Sequence, residues 1–285
     1  MPHVPSVPSL PPTPPALQLP RSVLLALWLQ GGSVQGAASV ITGDDEPHDV
    51  TGGRYLDLVE LVEHLGERHY DVAAVLPAPG DALVGPPDAV EAGECVLVHN
   101  NDEGWNLGIV PEIHRFGSRL EPGATVVWHV HEIDDWRTQM LGAVGSLDEA
   151  ERDLGEGLLL ATRALVQLDV ARWRPEAAER IAAVRDGSLR PDRLPPEFTA
   201  WPQRVRVMTQ AARLREIVTL AAEDEGGAVT MWQSDQRSTA LREVERLARR
   251  ATSAATAWLH GDEVRASAER QRRARTDEGR RQQGA

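Results

Sequence analysis

Residues 108–131, GIVPEIHRFGSRLEPGATVVWHVH, decide how the rest of the chain is interpreted. From residue 124 onward the even positions are apolar: Ala124, Val126, Trp128 and Val130. This alternation is typical of a strand with one buried face. Upstream, Ile109 and Ile113 share one parity, and three turn formers separate the two runs: Gly117, Pro122 and Gly123. The pattern predicts a β-hairpin.

Burial then sets the register of this hairpin, because a slip of one residue would turn every side chain to the opposite face. Pairing Ile109 and Ile113 with the apolar positions of the second strand brings four polar side chains together on the other face: Glu112, His114, His129 and His131. Pro111 has no N–H to donate to a neighbouring strand. The first strand should therefore lie at a sheet edge or break at Pro111.

The polar face of the hairpin carries side chains that bind divalent transition metals in other proteins, namely imidazoles and carboxylates. Around it, the spacing Gly123, five residues, His129-Val130-His131, three residues, Asp135, six residues, Gly142 resembles the first cupin motif, with aspartate in place of the usual glutamate. The resemblance implies a divalent metal held by these two histidines and Asp135.

His114 and Glu112 would complete such a metal site from the neighbouring strand. However, the second cupin motif is missing, and the sequence beyond residue 136 predicts helices in place of further barrel strands. We therefore expect a solvated strand face and no cofactor, with a divalent transition metal as the alternative.

The composition is that of an ordinary globular protein, with 285 residues of which 41% are apolar and 26% charged. A formal net charge of −13 argues against a general nucleic-acid binder. All thirty basic residues are arginine, which indicates GC-rich codons more than a functional design. A sequence of this length has room for two modest domains.

Cys95 is the only cysteine, so the chain can form neither an internal disulfide nor a thiolate zinc cluster. Its place in an apolar run predicts a small buried side chain. A signal peptide can be drawn around the apolar residues 23–29, but seven residues is the lower limit for one and far too few to span a membrane. We expect a cytoplasmic protein without membrane contact.

The change from period 2 to period 3.6 near residue 136 predicts an α+β fold with two domains. Residues 21–136 should form a mixed α/β domain that contains the hairpin, and residues 144–260 an all-α helical bundle. The proline-rich residues 1–20 and the arginine-rich residues 262–285 should be disordered arms.

Within the first domain we predict an apolar helix that Ser22 caps and that Gly31-Gly32 kinks or divides before Ile41. A second helix should cover residues 55–67, and strands should cover residues 72–76 and 94–99.

In the second domain, Ser146 and Glu149 form a capping-box signature ahead of an apolar stripe that runs from residue 147 to 168. A short helix should span residues 176–185. Residues 203–223 and 228–260 should form an antiparallel helix pair, with a face of Leu241, Val244 and Leu247 available for self-association or for docking on the first domain.

Several short stretches resemble a group of uncharacterised proteins from actinomycete genomes: Asp44-Asp45-Glu46-Pro47-His48, Val110-Pro111-Glu112, Phe116-Gly117 and Leu120-Glu121-Pro122-Gly123. The resemblance implies a cytoplasmic protein of high-GC bacteria and supplies no activity.

Three function classes follow from these features. The leading one is a non-catalytic interaction or regulatory protein whose helical domain binds a protein partner or a second copy. Trp201, Trp232 and Trp258 would be its aromatic anchors, although packing in the core is the use we favour for each. The second is a metal-dependent enzyme or metal sensor that uses the His129 and His131 face. The third is a nucleic-acid-associated regulator that uses the arginine-rich tail.

Overall fold

A computed structural model describes residues 16–31, 33–45, 47–53, 55–66, 70–118, 121–167, 180, 183–223 and 231–259. Its N-terminal half contains the following elements: β1 (Ala16–Leu17), α1 (Arg21–Leu29), α2 (Val34–Thr42), β2 (Asp49–Thr51), α3 (Leu58–Gly66), β3 (Tyr70–Val75), α4 (Ala89–Ala92), β4 (Cys95–Asn100), β5 (Asn106–Gly117) and β6 (Pro122–Glu132).

The C-terminal half is mainly helical: α5 (Arg137–Val144), α6 (Leu147–Gln167), β7 (Ser188–Leu189), a 3₁₀ turn (Pro191–Arg193), α7 (Pro196–Thr199), α8 (Pro202–Glu223) and α9 (Met231–Thr256). The predicted α+β class is confirmed. None of the helices in the described ranges is long and apolar enough to cross a lipid bilayer.

The predicted hairpin forms the middle of a five-stranded sheet with the order β2-β6-β5-β4-β3. Its register is the one that burial required, because Ile109 pairs with Val130 and Ile113 with Val126. Trp128 lies between these pairs on the buried face and is fully enclosed. The sheet therefore uses the apolar parity of both strands for its core.

Pro111 explains why β5 changes its neighbours along its length. Strand β4 pairs with β5 only as far as Ile109, so Pro111 lies where β6 is the remaining partner. The prediction of an edge position holds for this part of β5, although the first part is interior. Beyond Ile109 the hairpin extends past β4. Strand β2 still flanks β6 as far as the Glu112–Val127 pair, and the rest of the hairpin is a two-stranded ribbon.

The barrel that the cupin resemblance implied is absent from the described residues. The five strands form an open sheet whose edges are β2 and β3, and the chain continues into helices after β6. Strand β2, which is only three residues long and pairs in parallel with β6, was not predicted from the sequence.

Helix α1 begins two residues earlier than predicted and is capped differently. Pro20 occupies the N-cap position, and no side chain caps the helix from there. Ser22 is buried, and its backbone N–H donates to Oε2 of Glu94 at 2.8 Å. A carboxylate from a distant segment thus takes the place of the predicted Ser22 cap. The expected break at the glycine pair is confirmed by the separate helix α2.

The capping box at the start of α6 is confirmed. The N–H of Glu149 donates to Ser146 Oγ at 3.3 Å, and the N–H of Ser146 donates to Glu149 Oε2 at 2.9 Å. Two helix-end donors are satisfied reciprocally in this way. The helix predicted over residues 176–185 falls mostly outside the described residues, which resume with a helical turn at residues 183–186.

The two predicted domains share one hydrophobic core, because the end of α9 is fastened to β3. Val72 and Trp258 exchange backbone hydrogen bonds of 2.9 and 2.8 Å. Two residues earlier, Thr256 Oγ1 accepts from the N–H of Ala74 at 3.0 Å. The helical half is therefore docked on an edge strand of the sheet.

The face of α9 that was predicted to dock on the first domain packs within the helical half instead. Leu247 packs against α6, where a Cβ added to Gly157 would lie 2.0 Å from its Cδ1 atom. Val244 and Leu247 are both buried within the chain. The hydrogen bonds to the sheet come from positions further along, at Arg249, Thr256 and Trp258.

The segment predicted to be a disordered arm contributes its last residues to the fold. Leu17 is buried and pairs in parallel with Leu189, which forms a small second sheet. An apolar side chain at this position gains burial that a free arm would lack. Residues 1–15, like the predicted tail over residues 262–285, lie outside the described residues.

Gly52 offers a sharp test of the β2–β6 pairing. Its φ is +82°, and an added Cβ would lie 2.3 Å from the backbone oxygen of Val130. Gly104 also has a positive φ, +76°, but an added Cβ would meet nothing within 4 Å. We expect Gly104→Ala to cost about 1 kcal/mol of unfolding free energy and Gly52→Ala clearly more, because only the latter adds a backbone clash.

Urea denaturation of both variants and the wild type measures this difference. Equal losses in the two variants would contradict the close approach of Gly52 to β6.

Candidate functional site

The predicted polar face of the hairpin exists, and Glu112 is at its centre. Its two carboxylate oxygens contact two imidazoles, with Oε2 at 2.8 Å from His129 Nε2 and Oε1 at 3.1 Å from His114 Nε2. The other ring nitrogen of His129 lies 2.8 Å from Thr51 Oγ1 on β2. The hydrogen bond with His129, with a smaller electrostatic contribution from His114, holds the pKa of Glu112 below its usual value.

The other two predicted ligands lie apart from this group. His131 Nε2 contacts Asp88 Oδ2 at 2.8 Å, ahead of α4. Asp135 accepts hydrogen bonds from Arg137, including one of 2.6 Å from Nη2. Among the residues that the structure describes, no cluster of three or more histidine, cysteine or acidic side chains has the arrangement needed to hold a metal ion.

We expect the double variant His129→Ala, His131→Ala to change the unfolding free energy by no more than about 0.5 kcal/mol, as for other surface substitutions. The purified protein should carry no stoichiometric zinc, manganese or iron in either form. Metal analysis by mass spectrometry and urea denaturation check both points. Stoichiometric metal that disappears in the double variant would contradict this expectation.

Arg137 explains the position of Asp135. Besides Asp135, its guanidinium contacts Asp71 on β3, with 3.2 Å between Nη1 and Oδ2. Asp71 is buried and also accepts from Asn101 Nδ2 at 3.2 Å. Hydrogen bonding from Arg137 lowers the pKa of Asp135 to about 2. Asp135 thus helps to hold α5 against the edge of the sheet.

This pair predicts a pH dependence of stability. Because the pKa of Asp135 is lowered on folding, the stabilisation is complete above the unfolded value near 3.8 and is lost as pH falls towards 2. Its size should stay below about 1 kcal/mol, since the carboxylate is half-exposed. NMR titration of the Asp135 carboxyl should give a midpoint of about 2 in the wild type.

Arg137→Gln should move that midpoint towards the ordinary value, whereas Arg206→Gln, on α8, should leave it in place. An unchanged midpoint in Arg137→Gln would show that the pair is not formed in solution.

A second site was not predicted: a cavity of about 850 Å³ between the two halves of the chain. From the N-terminal half it is lined by the start of α1, the loop after α2, the segment before β4 and the buried-face side of the outer hairpin. From the C-terminal half it is lined by the 3₁₀ turn, α8 and α9. Five arginines reach it: Arg21, Arg115, Arg193, Arg215 and Arg249.

Two of these arginines are neutralised by carboxylates. Arg21 contacts Asp45, with 3.0 Å between Nε and Oδ2. Arg249 forms an ion pair with Asp81 and also donates to the carbonyl oxygen of Leu76 at 2.8 Å. Burial acts to raise the pKa of Asp81, but the bonds from Arg249 and from the Ala78 N–H outweigh it, so the pKa is lowered.

Two other arginines are half-buried and lack a bonded carboxylate in the described part of the chain. Arg193 donates to neutral oxygens, at 2.9 Å to the carbonyl of Val40 and at 3.5 Å to Gln18 Oε1. The guanidinium of Arg215 donates no hydrogen bond to a described residue and interacts with Glu94 and Glu245 only at longer range. Burial lowers the pKa of Arg215, because a charged guanidinium is poorly solvated there.

The acidic residues of the cavity are arranged differently from the arginines. Glu94 is buried, and one of its oxygens caps α1 through the Ser22 N–H. Three other acids, which have no bonded partner among the described residues, are exposed at the margin: Asp44, Glu216 and Glu245. The exposed acids therefore lie at the rim, whereas Arg193 and Arg215 are half-buried and Glu94 is buried.

His48 supports the wall of the cavity from behind. The Trp128 indole N–H donates to its Nδ1 at 3.1 Å, and its Nε2 lies 3.6 Å from Asp45 Oδ2. Burial, and then the charge of Arg21, lower the pKa of His48. Asp45 and His48 therefore join the sheet core to the cavity wall.

Comparison with protein families divides the chain in two. Residues 22–143 match the N-terminal domain of the Rv1486c-like protein family, and residues 148–253 match its C-terminal domain. The chain belongs to the Rv1486c-like family. It matches no curated protein sequence and no solved structure.

Both domains of this Rv1486c-like chain build the cavity. The N-terminal domain supplies Glu94 and Arg115, and the C-terminal domain supplies Arg193, Arg215 and Arg249. Arg115 could have been identified from the sequence, because it shares the parity of Ile109 and Ile113 and so places a charge at the end of the buried face. The other arginines were hidden among thirty in the sequence.

Proposed function

We propose that the protein is a non-catalytic regulatory protein that binds a small ligand between its two domains. The observation that carries this proposal is the cavity of about 850 Å³ whose walls come from both domains. Its volume falls within the range of small-molecule sites, which often lie at such junctions. A ligand that contacts both walls would favour one arrangement of the domains over others.

Binding without chemical conversion is supported by the state of the reactive groups nearby. The imidazole of His48 is fully buried behind Asp45 and accepts from Trp128. The thiol of Cys95, next to Glu94, is also buried, and burial raises its pKa far above the ordinary value. Both groups are therefore shielded from a ligand in the cavity, and the thiol is kept protonated.

We also propose that the helical domain carries an interaction surface, through which the protein responds to ligand binding. This surface binds a protein partner or a second copy. Leu159 on α6 supports it, since this apolar residue exposes 51% of its surface. Trp201 and Trp258, considered above as anchors, instead contact each other edge to face. Cytoplasmic location is part of the proposal and is consistent with a single, unpaired cysteine.

A blocked cavity tests the proposal. Thr219 lines the cavity on α8 and is exposed, so Thr219→Trp should fill space there with little effect on folding. Thr138→Trp adds the same side chain at an exposed position of α5 that does not line the cavity. We expect some compounds of a metabolite library to raise the melting temperature of the wild type and of Thr138→Trp, but not of Thr219→Trp.

The bound compound should also be recovered unchanged after incubation with the protein. A ligand that is converted would show an enzyme. Stabilisation that persists in Thr219→Trp for every compound would place binding elsewhere and contradict the proposed function.

A further inference from the structure

We infer that the ligand of this cavity is a small anion, a metabolite with phosphate or carboxylate groups that Arg193 and Arg215 bind and that Arg115 meets at the mouth. The inference rests on the proposed function and names the class of ligand for the same site. It follows from the way charge is distributed over the cavity, from the burial of the two inner arginines, and from the size of the space.

Within the described ranges, the distribution of charge leaves the two inner arginines, Arg193 and Arg215, without a bonded carboxylate. Arg21 and Arg249 each have a bonded carboxylate, Asp45 and Asp81 respectively. The buried carboxylate of Glu94 is engaged with a helix N-terminus, and α1 would lose that cap if Glu94 turned towards a ligand. Inside the cavity a ligand thus meets Arg193 and Arg215, which have no bonded carboxylate in the described part of the chain, together with the engaged carboxylate of Glu94.

Arg215 is in the surroundings where an anion gains most. Its guanidinium is largely removed from solvent, which is why its pKa is lowered despite Glu94 and Glu245 in the vicinity. Poorly solvated charges interact strongly with a counter-charge, because less water has to be displaced and the local dielectric is low. An oxyanion beside Arg215 would compensate the lost solvation.

Arg193 is already held in position for such contacts. Its Nη atoms donate to Val40 and Gln18, which uses two of the five N–H groups of the guanidinium. The loop at Gly43 lies against the same group, since an added Cβ there would be 2.8 Å from Nη2. Fixing the side chain beforehand lowers the entropy lost on binding, and arginine matches the oxygens of phosphate and carboxylate well.

The rim limits the size of the anion. Asp44, Glu216 and Glu245 are exposed around the opening, and the whole protein carries a formal net charge of −13. A nucleic acid would meet this negative surface over many phosphates. A metabolite of up to drug size can enter the cavity and place one anionic group inside, with its hydroxyl or amino groups towards the rim acids.

The experiment titrates the full-length protein with inorganic pyrophosphate and, separately, with citrate, and measures affinity by calorimetry. The two titrations distinguish phosphate from carboxylate recognition. Arg215→Gln removes the inner charge, and Arg215→Lys keeps it. Arg242→Gln, at an exposed position of α9 outside the cavity, changes the net charge of the protein by the same amount as Arg215→Gln.

We expect at least one of the two anions to bind and Arg215→Gln to weaken that binding by about tenfold or more, as for the loss of a charged hydrogen bond. Arg215→Lys should recover part of the affinity, which also shows that position 215 can be changed without unfolding. Arg242→Gln should stay within about twofold of the wild type, since surface charges contribute little.

Failure of both anions to bind would overturn the inference, and so would equal weakening in Arg215→Gln and Arg242→Gln. A neutral or cationic compound whose binding is lost in Thr219→Trp would overturn it while leaving the proposed function intact. If no compound of any charge depends on the cavity, both fail together.

Discussion

The structure depends on the junction between the end of α9 and the edge strand β3. Two backbone hydrogen bonds between Val72 and Trp258 contribute only about 1 kcal/mol each, so they fix position more than they supply energy. Small side chains let the helix approach the sheet closely, and three of them are fully buried: Ala248, Ala251 and Ala255. The same junction covers a strand edge that would otherwise be open to other chains. Because it holds the two domains together, it also places Arg215 and Arg249 opposite Glu94 and Arg115.

The elements predicted correctly are those that local sequence patterns determine. The hairpin register followed from the parity of Ile109 and Ile113 alone, and the start of α6 from Ser146 and Glu149. Strand β2 is too short for a periodic signal and pairs with residues far along the chain, so no local pattern indicates it. The contact of Trp258 with Val72 is equally remote in sequence. Such long-range contacts decide how the domains meet, and with them the cavity.

The hairpin separates two kinds of chemistry on its two faces. Sequence reasoning favoured the outer face because its histidines stand out, yet each imidazole there already has a partner, as His129 does in Glu112 and Thr51. On the opposite face the strands extend beyond β4, and the side chains past Ile113 border the cavity instead of the core. Arg115 occupies a buried-face position. Its charge costs little folding free energy there, because the side chain borders the polar cavity and not the apolar core. The face of the strand on which a polar residue lies thus indicates a binding site better than the residue type does.

The net charge of −13 limits how this protein can recognise an anion. Its long-range field repels anions and slows their approach, so steering cannot supply affinity. Affinity must then come from short-range contacts with groups that are desolvated and held in place, such as Arg193 beside Val40. Added salt has two opposite effects on the affinity for an anion. It screens the repulsion between the anion and the negative surface, and it weakens the contacts between the anion and arginine. A binding surface that attracted anions in general would lose affinity steadily with salt. A cavity with positive charge inside and acids at the rim should depend on salt only weakly, which makes the surroundings of Arg215, more than the overall charge, the source of selectivity.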